Sequence, residues 1–394
     1  MNCSWLTTLS ATQQEMSSAS AKPVARIGEF DGLRCFLSWW VVLDHILLSS
    51  GFRYETLPPF VRVLAKGEYA VDVFIILSGF VITKLLAEKQ EGYFVFIGRR
   101  FLRLFPVFAV TLLIALLLRP LLGLILAAGW PADPVMLRNS IANWESESRH
   151  FWGHLIAHLP MLHGVVPNNI LPNSAAAFVT PAWSISLEWQ YYLCAPLMAL
   201  ICKRLGPIGW FALGTGSIVV LMRCGAIMDS LFPMQSFLLQ KLLLFLVGGS
   251  CYWIFTEVRG KHKNLPWLLF FFTAPAVLWF TLSIPLALWT SVFALALGDS
   301  ETRGTSKFRA LLNLPWVQRL GEISYSTYLG HVSCIWLVQS FILVLIPRVN
   351  RQGMFLGLLI AAVPLTVFFS ELLFRFVERP GIRLGRRLTR TERG

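Results

Sequence analysis

Charge is scarce in this sequence. Lys, Arg, Asp and Glu make up 14% of its 394 residues, against about 25% in soluble domains. Acidic side chains are scarcer than basic ones, 21 against 34. A water-soluble chain with 56% apolar residues would expose large greasy patches, which excludes an ordinary soluble fold. A bilayer accepts the same residues as self-bonded helices of about 20 residues each. No CxxC pair occurs among the seven cysteines. Six of them lie in or beside apolar runs, as small buried hydrophobes do, so neither a disulfide framework nor a zinc site is expected. There is no internal repeat and no low-complexity block. An early basic region of the secretory type is missing too, since the first lysine is Lys22. The Ser/Thr/Ala/Gln-rich stretch before it reads as a disordered tail.

What is present is a formal charge of +13, and its distribution excludes a nucleic-acid partner. The basic residues sit in short loops between apolar runs and in the tail from Arg375 to Arg393, as topology signals do. Ten runs are candidate spans: 31–51, 69–88, 101–127, 182–202, 207–227, 235–256, 265–281, 283–299, 324–347 and 354–377. An even number puts both termini on one side. Arg99, Arg100 and Arg103, then Lys203 and Arg204, Arg259 to Lys263, and Arg303 to Arg319 all fall on that side, which makes it cytoplasmic. The expectation is an all-α polytopic protein of a bacterial inner membrane. Residues 1–28 form a disordered cytoplasmic tail, 29–385 a single transmembrane domain and 386–394 a basic cytoplasmic tail. The longest non-cytoplasmic segment, 128–181, holds most of the His and Trp outside the runs, and long loops tend to be functional.

Four segments carry polar chemistry into apolar surroundings. In the first run Arg34 and His45 are eleven residues apart, three turns plus about 20° and ~16 Å of rise, so they share a face. Ser38 lies between them. A bland reading makes Arg34 an interfacial anchor and His45 a packing residue. The chemical reading makes His45 a base that takes a hydroxyl proton, and Arg34 a fork for phosphate or carboxylate. Asp44, its neighbour, points about 100° away and is poorly placed to orient the ring.

In the second segment Asp72 interrupts an apolar run and Ser78-Gly79 permits a kink or a substrate's close approach; simple small-residue packing reads equally well. Arg99, Arg100 and Arg103 are topology and headgroup contacts on one reading, and a dock for the phosphates of a cofactor such as coenzyme A on the other. In the third segment Glu188 stands among Trp183, Ser184 and Tyr192; the aromatics alone make an interfacial belt, but a carboxylate inside a span points to a sugar hydroxyl or a partner charge. In the fourth, Tyr325, Tyr328 and His331 share a face. Glu371 and Arg375 read as an anchor pair. His150, His154, His158 and His163 have zinc-like spacing but no acidic ligand at a fixed interval. With Trp152 they read instead as an interfacial amphipathic helix, and no metal is expected.

Taken in order, FDGLR with Arg34 and His45, VDVFIILSGFVIT, GRRFLRLFP, WSISLEWQYY, ISYSTYLGH and FVERP resemble the acyltransferase-3 family of membrane O-acyltransferases, over about residues 29–385. The resemblance implies a ten-span fold with both termini inside. It implies acyl-CoA, usually acetyl-CoA, as cytoplasmic donor, and a glycan, glycolipid or small-molecule hydroxyl as acceptor. It makes His45 the catalytic residue. Arg34, Arg99, Arg100 and Arg103 bind the donor, and Glu188, Trp183, Ser184, Tyr192, Asp72, Ser78, Gly79, Tyr328 and His331 bind substrate. Membrane lipids and a second copy of the chain are the other expected partners. Asp44, where the family often has an apolar or aromatic residue, and the His-rich loop are departures. A chain ending within about 20 residues of its last span resembles the stand-alone type. The rival class is a transporter using the same buried Arg and His for substrate or proton movement; the two halves show no matching interrupted spans.

Overall fold

The structure is a computed structural model describing residues 27–89, 91–205, 207–258, 284–297 and 306–391. Among these residues every regular element is helical: α1 (Gly28–Ser49), α2 (Pro59–Leu64), α3 (Gly67–Glu88), α4 (Tyr93–Ala127), α5 (Pro134–Arg149), α6 (Phe151–His158), α7 (Trp183–Leu205), α8 (Pro207–Leu231), α9 (Leu238–Val258), α10 (Ile284–Leu297), α11 (Ser306–Leu312), α12 (Pro315–Glu322), α13 (Ser324–Leu345), α14 (Arg351–Leu373) and α15 (Arg379–Thr391), with a π-turn (Phe374–Glu378) joining the last two. Among the described residues, eight helices are long and apolar enough to cross a membrane. The expected seventh span lies outside the described residues. The eighth appears as α10, whose 14 residues cover only about 21 Å.

Two helices are longer than their apolar runs suggest. The third run begins at Tyr93 rather than near 101, so Arg99 and Arg100 lie with Arg103 inside one 35-residue helix and not in a loop before it. Arginine is a good helix former and its stem lies along apolar surface, so the charges mark no boundary. The last run likewise continues through the π-turn to Thr391. At 1.5 Å per residue each exceeds a hydrocarbon core of about 30 Å. Both overhang it on the arginine side, antiparallel to each other: Gly381 lies on Leu102 and Gly385 on Arg99.

Packing at the centre is close. α3 crosses α9 through Gly79 and Gly248. A Cβ on Gly79 would come within 2.8 Å of the Phe245 carbonyl carbon, and one on Gly248 within 2.8 Å of the Phe80 nitrogen. Small residues of this sort let membrane helices touch backbone to backbone. Phe30, Phe80 and Trp289 bring α1, α3 and α10 together, with ring centroids 5.0 and 5.4 Å from Phe30. The long loop is not loose. Asp133 caps α5 by accepting from Val135 N and Met136 N at 3.1 and 3.0 Å. Further on, Gly164 donates to Ser186 Oγ at 3.0 Å and accepts from Ser236 Oγ at 2.9 Å, tying the loop to α7 and to the start of α9.

Candidate active site

A cavity of about 630 Å³ lies between α1, α3, α4, α7, α13 and α15. It is walled by Arg34, Arg100, Arg103, Arg379, Arg383 and Arg386, against the carboxylates Asp31, Glu188, Glu322 and Glu378. Each carboxylate is engaged. Asp31 accepts from Arg34 at 2.7 Å. Glu188 accepts from Tyr192 Oη and, at 3.2 Å, from Ser78 Oγ. Glu322 accepts from Arg319 at 2.6 Å, and Glu378, only 2% exposed, from Ser326 Oγ at 2.7 Å. Arg100 sits over the Tyr192 ring, 5.9 Å from its centroid, and its Nε is buried with no hydrogen-bond partner among the described residues.

Away from the arginines the lining turns apolar and hydroxylic, with Val71, Phe74, Ile75, Phe245, Ser184 and Tyr328. Tyr328 donates to Pro181 O at 3.0 Å and shares a 2.8 Å hydrogen bond with Ser184 Oγ. The chain just before α7 therefore meets α13 at this wall.

Behind Tyr328 stands a pair of histidines. The Tyr328 ring is 6.4 Å from that of His331, and His331 is 4.9 Å from His45, edge to face. His45 Nδ1 lies 2.9 Å from Val41 O, and His331 Nδ1 lies 3.1 Å from Thr327 O, each one turn back on its own helix. Donation at Nδ1 fixes the tautomer that leaves Nε2 with a lone pair. Val41 O is thus the group that orients His45. Asp44 instead faces the N-terminus of α3, where it accepts from the Gly67 main chain.

Of the residues singled out in the sequence, Arg34, Arg100, Arg103, Ser78, Ser184, Glu188, Tyr192 and Tyr328 converge on the cavity. His45 and His331 form the pair behind it and do not line it. Arg99 pairs with Glu91 at the edge. Asp72 is ion-paired with Lys241 of α9 at 2.7 Å, Gly79 is packed on α9, and Trp183 is buried outside the lining. The sequence reading missed Arg379, Arg383 and Arg386, whose signal, spacing by four and three on one helix face, is hidden in a tail that topology explains equally well.

Three of the four loop histidines are turned inward, and His150 is exposed. On α6, Trp152 and Ile156 are exposed while His154 and His158 are fully buried, so the apolar side of this amphipathic helix faces outward. His158 and His163 stack at 4.0 Å, with Phe108 parallel to both. No group of three metal-ligating side chains occurs among the described residues. Burial pulls the His154 and His158 rings down to about 4 and His163 well below the ordinary imidazole range. Both His158 nitrogens face carbonyls, His154 O at 2.7 Å and Ala177 O at 3.0 Å; a neutral ring has one N–H and donates to only one of them.

The acyltransferase-3 family model, described as an acyltransferase domain, matches residues 27–373. A curated relative named acyltransferase MdmB, from Streptomyces mycarofaciens, is 29% identical over 213 residues, which cover 53% of this chain and 48% of the relative. The chain thus matches about half the length of that relative. No solved structure matches it.

Proposed function

The chain belongs to the acyltransferase-3 family, and from that premise we propose that it is an acyltransferase that moves an acyl group, acetyl in the simplest case, from acyl-CoA to a hydroxyl of a cell-envelope or exported glycan at a bacterial inner membrane. The observation that carries this reading is the arginine-walled cavity whose inner wall, Tyr328, stands one ring from the His331–His45 pair. Guanidinium groups bind phosphates through paired N–H donors. A neutral inner end, closed by Tyr328, suits the pantetheine arm, with the histidines one ring further on.

His45 acts as the base. Its Nδ1–H is committed to Val41 O, and its Nε2 takes the acceptor's proton as the hydroxyl oxygen attacks the thioester carbonyl. The tetrahedral adduct collapses by breaking the C–S bond, and the coenzyme A thiolate takes the proton back from His45. Glu188 lines the cavity with the arginines, and its role is to fix Ser78 and Tyr192 beside Arg100.

The test uses membranes carrying the wild-type chain or His45→Ala, supplied with acetyl-labelled acetyl-CoA. Label in the glycan or glycolipid fraction with wild type alone is the expected result. Equal transfer by His45→Ala would overturn the assignment of the base.

A further inference from the structure

The amphipathic, basic α15 has a use that topology does not explain. Arg379, Arg383 and Arg386 follow one another at four and three residues, so they lie on one helix face. All three are exposed and line the same cavity as the deeper Arg34, Arg100 and Arg103. Two contacts fix that face in place. A Cβ on Gly381 would lie 3.2 Å from Pro106 Cγ of α4, tighter than an ordinary contact, and one on Gly385 would rest in van der Waals contact with Arg99. The π-turn before α15 turns Glu378 inward to Ser326; π-turns add a residue to a helix and recur at functional sites.

The cavity therefore has a polarity gradient. Six guanidinium groups face four carboxylates, all four already engaged, and the buried Nε of Arg100 lacks a partner. The apolar and hydroxylic end holds none of these charges. Its complement is a molecule with several phosphates at one end and a thin neutral arm at the other.

We propose that Arg383 and Arg386, with Arg379, form the outer half of the donor site and bind the phosphates of the nucleotide end, so that the chain selects a nucleotide thioester over the same acyl group on pantetheine. This rests on the acyl-CoA reading above. Phosphate is also the chemistry of anionic lipid headgroups, so the test separates the two sources.

Full-length protein in neutral detergent is titrated with coenzyme A, 3′-dephospho-coenzyme A and pantetheine, as wild type and as the double variant R383Q/R386Q. The wild type is expected to bind coenzyme A more tightly than dephospho-coenzyme A, and both more tightly than pantetheine. The variant is expected to lose about ten- to a hundredfold in coenzyme A affinity, the worth of one or two charge-assisted contacts, while pantetheine binding stays unchanged and reports an intact inner cavity. Unchanged coenzyme A affinity in the variant, with only its retention of phosphatidylglycerol lowered, would make α15 a lipid contact and overturn the inference. Equal losses for coenzyme A and pantetheine would overturn it too, as a distorted cavity. A wild type that binds no coenzyme A would bring down the donor reading itself, an outcome distinct from the other two.

Discussion

His331 meets His45 edge to face, with ring centroids 4.9 Å apart and planes at 74°. Each ring gives its Nδ1–H to a carbonyl on its own helix, and His331 Nε2 is fully buried without a hydrogen-bond partner among the described residues. A buried polar atom without a partner is costly, and here it sits against the proposed base. His45→Ala is expected to lower acyl transfer by roughly 10²–10⁴, the usual weight of a general base. His331→Ala acts through His45 and is expected to cost less, about tenfold, with a shifted pH–rate profile as its signature. Label transfer across pH on both variants checks this. Full activity in His45→Ala with loss in His331→Ala would exchange the two roles.

Arg103 lies among Glu188, Glu378, Tyr192 and Tyr325 and lines the cavity. Arg103→Gln is expected to raise the KM for the acyl donor by about tenfold or more, through loss of a charged contact, and to leave the KM for the acceptor where it was. A rise in the acceptor KM alone would place Arg103 on the wrong side of the reaction.

Asp72 and Lys241 make an ion pair at 2.7 Å between α3 and α9, with side chains 16% and 12% exposed. Asp72 therefore reads as half of a helix-to-helix link, not as a substrate ligand. Breaking such a pair by removing one partner leaves a charge stranded and costs about 3–5 kcal/mol. Asp72→Asn is expected to lower the thermal midpoint in detergent sharply, and Asp72→Asn with Lys241→Met to recover most of it. Whatever Asp72→Asn protein folds should keep the wild-type acceptor KM. A raised acceptor KM at undiminished stability would return Asp72 to the substrate site.

These residues also show how far the sequence reaches. Arg34, Arg100, Arg103, Ser78, Glu188, Tyr192 and Tyr328 were legible because polar groups within apolar runs are rare enough to demand a reason, and they do converge on one cavity. The partner of Asp72 was not legible. Lys241 lies 169 positions away, and nothing local to either residue says which helices touch. Gly79 was ambiguous for the same reason, and only the Phe245 backbone beside it decides for packing. The arginines of α15 were hidden differently: positive charge after a last span is what topology requires, so their place in the cavity wall leaves no surplus signal. The start of α4 and the continuation of the last run into α15 were missed because hydropathy marks the bilayer's edge and not the helix's.

The buried histidines of the long loop make the fold sensitive to acid. His154 and His158 titrate at about 4 in the folded chain, because burial disfavours the charged ring, against an ordinary 6.5. The folded state thus binds fewer protons than the unfolded one between those values, and stability falls as pH drops from 6.5 toward 4. His163 is shifted the same way. Glu147 acts oppositely. Burial lifts its carboxyl from 4.5 to about 7, so its contribution weakens as pH rises through that window. Three histidines against one carboxyl leave a net loss on the acid side. His154 is the place to test it, because neither of its ring nitrogens has a hydrogen-bond partner among the described residues, and an apolar replacement breaks no bond of the ring there. His154→Leu is expected to raise the thermal midpoint at pH 5 by more than at pH 7.5, flattening its dependence on pH. Thermal unfolding in detergent at several pH values measures this. A dependence as steep in the variant as in the wild type would mean that His154 carries its proton in the folded chain, and that the acid sensitivity lies elsewhere.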